Sequence, residues 1–136
     1  MTNKKIPRGI RNNNPGNIRY NGIAWKGLET PPTDGAFCIF THPEFGLRAL
    51  AKLLRNYNRY YGIRTIKSII NRFAPDTENN TTAYIQSVCK ATGFTDCQQL
   101  DLESEKVLLP LIKAIIKHEN GQQPYSDQQI LEGIKC

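Results

Sequence analysis

The stretch Ser104-Glu105-Lys106-Val107-Leu108-Leu109-Pro110-Leu111-Ile112-Lys113-Ala114-Ile115-Ile116-Lys117-His118-Glu119-Asn120-Gly121 decides how this chain is read. Ser104 suits a helix N-cap and Gly121 a helix end. Between Val107 and Ile116 only Pro110 and Lys113 interrupt the apolar run. A helix apolar nearly all round is one covered on most sides, so this segment predicts the central helix of a packed domain. Pro110 lacks a backbone donor and is expected to limit or kink the first turns.

Working outward, the remaining helices are amphipathic. Thr41 is a candidate N-cap, with Pro43 and Glu44 suited to a first turn. Phe45, Leu47, Leu50, Leu53, Leu54 and Tyr57 follow on one face, and Gly62 stops the helix. A second helix is predicted from Thr65 to Phe73, ended by Pro75, with Ile66, Ile69 and Ile70 inward. A third starts at Asn80 or Thr81, carries Tyr84, Ile85 and Val88, and ends before Gly93. A last one, capped by Ser126, holds Ile130, Leu131 and Ile134. The first forty residues differ. Asn12-Asn13-Asn14-Pro15-Gly16-Asn17, Asn21-Gly22 and Pro31-Pro32-Thr33-Asp34-Gly35 are turn formers. Ile18-Arg19-Tyr20 and Phe37-Cys38-Ile39-Phe40 are the β-like runs between and after them. The expectation is a mainly α (α+β) fold, with irregular chain and a small hairpin or sheet near the N-terminus.

With 136 residues, no internal repeat and no low-complexity linker, residues 1–136 are expected to form one domain. The apolar runs are far too short for a membrane span. Met1 to Pro7 are basic but lead into no apolar run, which predicts no secretory signal and synthesis in a cytoplasm. The net charge of +6 suits polyanionic partners, or simple solubility. Lys and Arg are scattered rather than clustered, which argues against a specific nucleic-acid interface. Cys38, Cys89, Cys97 and Cys136 form no CxxC pair, and His42 and His118 are the two histidines. That spacing argues against a structural zinc site; no metal or other cofactor is expected. Free thiols fit a cytoplasmic origin, whereas Cys89 and Cys97 can pair in an oxidising compartment.

Glu119 is the candidate catalytic acid and base. Helical spacing places it above Ile115 and Ile116 and on the stripe of Ile112. Aliphatic neighbours strip water from a carboxylate and favour the proton-bearing form a general acid requires. The negative end of the helix acts in the same sense. A solvated residue in a helix-ending turn is the plainer alternative. Arg8 to Arg19 is a second cluster: its amides and glycines suit hydrogen bonding to sugar hydroxyls and N-acetyl groups, or equally an asparagine-built turn. In Glu78-Asn79-Asn80-Thr81-Thr82-Ala83-Tyr84, Asn80 or Thr81 caps a helix whose first turn can present Thr82 and Tyr84 to a groove. Trp25, the single tryptophan, suits either stacking on a sugar ring or packing.

Gly9-Ile10-Arg11-Asn12-Asn13-Asn14-Pro15-Gly16-Asn17-Ile18, Trp25-Lys26-Gly27, Phe37 to Phe40, Gly46, Ala74-Pro75, Glu78 to Thr81, Tyr84 and Glu119-Asn120-Gly121 together resemble a family of bacteriophage virion and prophage proteins. That family is similar to lysozyme-like lytic transglycosylases in circularly permuted order: the asparagine loop opens this chain, and the helix bearing the glutamate nearly closes it. Neighbouring chain termini make permutation physically inexpensive. The resemblance implies Glu119 as catalytic residue, with Asn14, Gly16 and Asn17 on the loop facing it. It also implies Thr82 and Tyr84 at the helix start opposite. The implied substrate is the peptidoglycan glycan strand, cut between N-acetylmuramic acid and N-acetylglucosamine with a 1,6-anhydro product. The implied setting is the virion, among other virion proteins, or the periplasmic wall. Glu44, Glu78 and Asp34 each have a capping or loop explanation, so no second carboxylate is assigned, which favours a transglycosylase over a hydrolytic muramidase. A non-catalytic virion or wall-binding module is the rival of another class, since fold does not fix function. A basic nucleic-acid packaging protein is a third, and it requires steeply salt-dependent DNA binding.

Overall fold

A computed structural model describes residues 6–75 and 80–135 of the chain. Met1 to Lys5, Glu78, Asn79 and Cys136, which entered the sequence reading, lie outside the described residues. The elements run α1 (Arg8–Arg11), β1 (Leu28–Thr33), β2 (Cys38–Phe40), α2 (Pro43–Tyr61), α3 (Ile66–Phe73), α4 (Thr81–Thr92), α5 (Glu105–Asn120) and α6 (Asp127–Lys135). The fold is mainly helical with one small antiparallel sheet. Among the described residues no helix is long and apolar enough to cross a membrane.

The larger helices follow their local signals. Thr65 and Ser68 form a reciprocal capping box at the start of α3, satisfying two backbone donors. The Asn80 side chain accepts from Ala83 N at the start of α4. Left-handed Gly62, Gly93 and Gly121 end α2, α4 and α5 at φ +67°, +81° and +73°. In α5 the side chains of Leu108, Leu111, Ile112, Ile115 and Ile116 are completely buried. Each such burial stabilises the fold by about 1.5–3 kcal/mol, which makes α5 the helix around which the others assemble. α4 lies along α5, α3 along α4, and α6 against both α2 and α5. Arg55 of α2 fastens the periphery by donating to the carbonyls of Leu102, Glu103 and Ile134.

Four local expectations are corrected. Pro110 does not shorten α5, which begins five residues before it; its missing N–H frees only the carbonyl of Lys106, on an exposed residue of the first turn. The residue capping α2 is His42 rather than Thr41. Thr41 is engaged elsewhere: its N–H and Oγ1 both donate to the Gly27 carbonyl, at 2.8 and 3.1 Å. The strand paired with β2 is β1, although it contains Pro31 and Pro32, whereas Ile18-Arg19-Tyr20 makes a single bridge, Arg19 to Phe37. Proline is tolerated because a two-stranded sheet leaves the outer edge of each strand unpaired. Leu28 opposes Phe40 and Thr33 opposes Cys38, with an irregularity between. Finally, Arg8–Arg11 form a helical turn rather than irregular chain. Cys38, Cys89 and Cys97 are free thiols.

Candidate active site

The asparagine loop is a scaffold before it is anything else. Asn14 is completely buried: its amide nitrogen donates to the carbonyls of Ile18 (3.0 Å) and Cys38 (3.1 Å), and its oxygen accepts from Ile18 N (3.0 Å). Asn13 donates to the Phe40 carbonyl and Asn12 to Asp34. Asn13 and Asn17 both adopt left-handed backbone, φ +52° and +50°, which asparagine tolerates better than most side chains. At Gly46 of α2 a Cβ would overlap the Asn13 carbonyl, so the loop lies directly on the helix backbone. Asp34 accepts from the N–H groups of Phe37 and Ala36 and from the Asn12 amide. These bonds, with Arg8 alongside, hold its carboxyl down at about 2.

The end of α5 is sewn to this loop. Asn120, nearly buried, donates to the Pro15 carbonyl at 2.9 Å and to the Ile116 carbonyl at 3.0 Å. The preceding residue is Glu119. Its Oε1 accepts from Asn17 Nδ2 at 2.9 Å, across 102 positions of sequence, and its Oε2 accepts from the Tyr84 hydroxyl at 2.9 Å. The carboxylate therefore does not stand against aliphatic side chains alone; two donors from separate elements fix its plane. Tyr84 is completely buried in α4, and its ring stacks on His118 with centroids 3.7 Å apart. Burial first, and then the Glu119 charge and hydrogen bond, push the Tyr84 phenol far above its ordinary value, so it stays a neutral donor.

Glu119 opens into a groove of about 460 Å³. Gly16, Asn17, Ile18, Arg19 and Asn21 form one wall. Leu53 and Tyr57 of α2 supply apolar surface, and Arg72, Phe73, Ala74 and Pro75, at and just after the end of α3, complete the lining with Phe37. Burial raises the Tyr57 phenol to about 12 against the opposing effect of the Arg72 charge.

Of the residues singled out in the sequence, Gly16, Asn17 and Glu119 line this groove, and Tyr84 reaches Glu119 from the core. Three others do not line it. Asn14 has its amide committed to backbone groups and no atom left for a ligand. Thr82 is exposed on α4; its neighbour Thr81 is the buried one, donating to the Ala74 carbonyl at 2.7 Å. Trp25 is half-buried and packs against the hydrophobic core. Sequence reasoning missed Tyr57, Leu53 and Arg72. The first two share a helical stripe at spacing i, i+4, which reads as core; Arg72 has no distinguishing local pattern. Among the described residues, no group of three or more His, Cys, Asp or Glu side chains is placed to hold a metal ion.

No family model matches the chain. Protein P5 of Pseudoalteromonas phage PM2 is 40% identical to it over 131 residues, covering 94% of this chain and 80% of that protein. An alignment over 94% of the chain includes both the asparagine loop and the helix that carries Glu119. The chain belongs to the family of phage proteins represented by Protein P5 of Pseudoalteromonas phage PM2.

Proposed function

We propose that this protein is a phage-associated enzyme that cleaves peptidoglycan glycan strands as a lytic transglycosylase, with a permuted lysozyme-like fold. One observation carries the reading: a carboxylate at the end of a buried helix faces a groove, and each of its oxygens is held at 2.9 Å by a separate neutral side chain. Such fixed placement is what general acid–base catalysis needs, because the reacting proton must be presented at a defined angle. The kinship with a phage protein supports the phage setting.

In the proposed reaction, protonated Glu119 gives its proton to the oxygen linking N-acetylmuramic acid to N-acetylglucosamine. The C1–O bond breaks, and positive charge develops at the muramyl anomeric carbon. The Glu119 carboxylate then takes the proton of the muramyl 6-hydroxyl, whose oxygen bonds to C1 and closes the 1,6-anhydro ring. No water is consumed, and Glu119 ends protonated as it began. Tyr84 suits both halves of the cycle, since a phenol hydroxyl donates to a carboxylate and accepts from a carboxylic acid. Asn17 does too, because an amide offers an N–H₂ on one side and a carbonyl on the other. Glu119 is the one carboxylate among the described groove residues, which supports the route needing a single acid over a two-carboxylate hydrolysis.

The experiment is digestion of purified sacculi by the wild type and by Glu119→Gln, with products read by mass spectrometry. Anhydromuramic ends from the wild type and none from the variant are expected. Reducing-end muramic acid without anhydro species makes the enzyme a hydrolase. Equal, negligible turnover by both proteins leaves a non-catalytic wall-binding or virion module.

A further inference from the structure

Arg72 occupies an unusual position in the groove. Its guanidinium carbon lies 4.1 Å from the Tyr61 ring centroid and 5.5 Å from that of Tyr57. Cation–π contacts hold a guanidinium by its face and leave the in-plane N–H donors for other acceptors. Among the described residues no carboxylate pairs with Arg72. A planar fork of donors, stiffened by two aromatic rings and set in the wall of the groove containing Glu119, fits a planar oxyanion bidentately. The net charge of +6 favours polyanionic partners for the chain as a whole.

We infer that Arg72, clamped by Tyr57 and Tyr61, binds a carboxylate on the side arm of the muramyl residue, so that the groove selects acidic glycan over uncharged glycan. This deepens the proposed function and rests on it. The carboxylate has two sources: the lactyl group itself, where the peptide has been removed, or the acidic residues of an attached stem peptide. Both offer the same fork-to-fork geometry. Uncharged N-acetylglucosamine polymers offer neither and gain nothing from Arg72.

The test is sedimentation binding with Glu119→Gln as parent, so that no substrate is consumed, against the same protein carrying Arg72→Gln. Arg72 is solvent-exposed, so the substitution leaves the core intact, and an unchanged melting curve verifies this. Four probes are used: native sacculi, sacculi whose carboxylates have been converted to neutral amides, amidase-stripped glycan strands, and chitin oligosaccharides. Arg72→Gln is expected to weaken binding to native sacculi about tenfold at low salt, as loss of one charge-assisted bidentate pair does. The difference should shrink toward about 0.5 M salt. It should vanish on amidated sacculi and on chitin. A difference on native sacculi identifies a stem-peptide carboxylate, because the lactyl carboxyl is there held in an amide bond; a difference confined to stripped strands identifies the freed lactyl carboxylate. Arg72→Lys should recover part of the binding, since it restores charge without the fork. If Arg72→Gln binds both native sacculi and stripped strands as tightly as the parent, the Arg72 assignment is wrong and the wall-degrading function stands. If the parent itself does not sediment with sacculi, both fall.

Discussion

Replacing Gly9 with alanine places a methyl carbon 2.5 Å from Asn120 Oδ1, 2.8 Å from Asn17 Oδ1 and 2.9 Å from the Asn14 carbonyl oxygen. Ordinary carbon–oxygen contacts lie at about 3.3–3.6 Å, so each oxygen must retreat by roughly half an ångström or more. None of them is loose. The Asn120 amide donates to two carbonyls, the Asn17 amide donates to Glu119, and the Asn14 carbonyl accepts from Asn17 N at 2.9 Å. Overpacking of this kind costs about 1–3 kcal/mol, and weakening one or two buried hydrogen bonds adds about 1 kcal/mol each. Against this, Gly9 sits in a helical turn, where alanine is favoured over glycine by about 0.5–1 kcal/mol. The net expectation is a loss of about 1–4 kcal/mol. The sign is the decisive feature. Urea unfolding of wild type and Gly9→Ala, with equal slopes, should show a lower midpoint for the variant. A midpoint that rises means alanine is accommodated as in any helix, and the three-oxygen cradle that sets Asn17 and Asn120 beside Glu119 is not rigid. Turnover of sacculi by the folded fraction should fall as well, because the same displacement carries Asn17 away from the carboxylate.

Further outcomes follow from the same geometry. Tyr84→Phe keeps the stacked ring on His118 but removes the donor to Glu119 Oε2. It should lower kcat about tenfold or more while KM changes little, since a hydrogen bond to a charged group contributes about 1.5–3 kcal/mol; an unaltered kcat would show that Asn17 alone positions the acid. Asp34 gives a pH signature. Its carboxyl sits near 2 when folded, below its ordinary value, so its contribution to stability is present above about pH 4 and is lost as pH falls through 2. Because the side chain is partly exposed, that contribution is about 1 kcal/mol after solvent screening. Asp34→Asn should therefore be less stable than wild type at pH 6, and the gap should close toward pH 2; a gap of constant size would count against the hydrogen-bonded carboxylate.

The helices were legible in the sequence because their determinants are local. Thr65 with Ser68, Asn80, and the left-handed glycines 62, 93 and 121 act within one turn of where they stand. The apolar run of α5 announced its own burial, since a helix covered on most sides cannot carry a broad polar face. Glu119 was visible as the carboxylate-bearing residue at its end. Its surroundings were not. The partners that hold it come from Asn17, 102 positions away, and Tyr84, 35 away. No periodicity encodes such distances, because they are set by how α4, α5 and the asparagine loop pack. The same limit explains β1, whose prolines read as a turn until β2 paired with one edge of it. It explains Asn14, chemically indistinguishable from Asn17 in the sequence yet consumed by backbone carbonyls, whereas Asn17 is left facing the carboxylate. Residue type and local spacing decided which groups were available. Only the meeting of distant segments decided which of them touch Glu119, because a hydrogen bond depends on separations of about 3 Å that the order of residues does not contain.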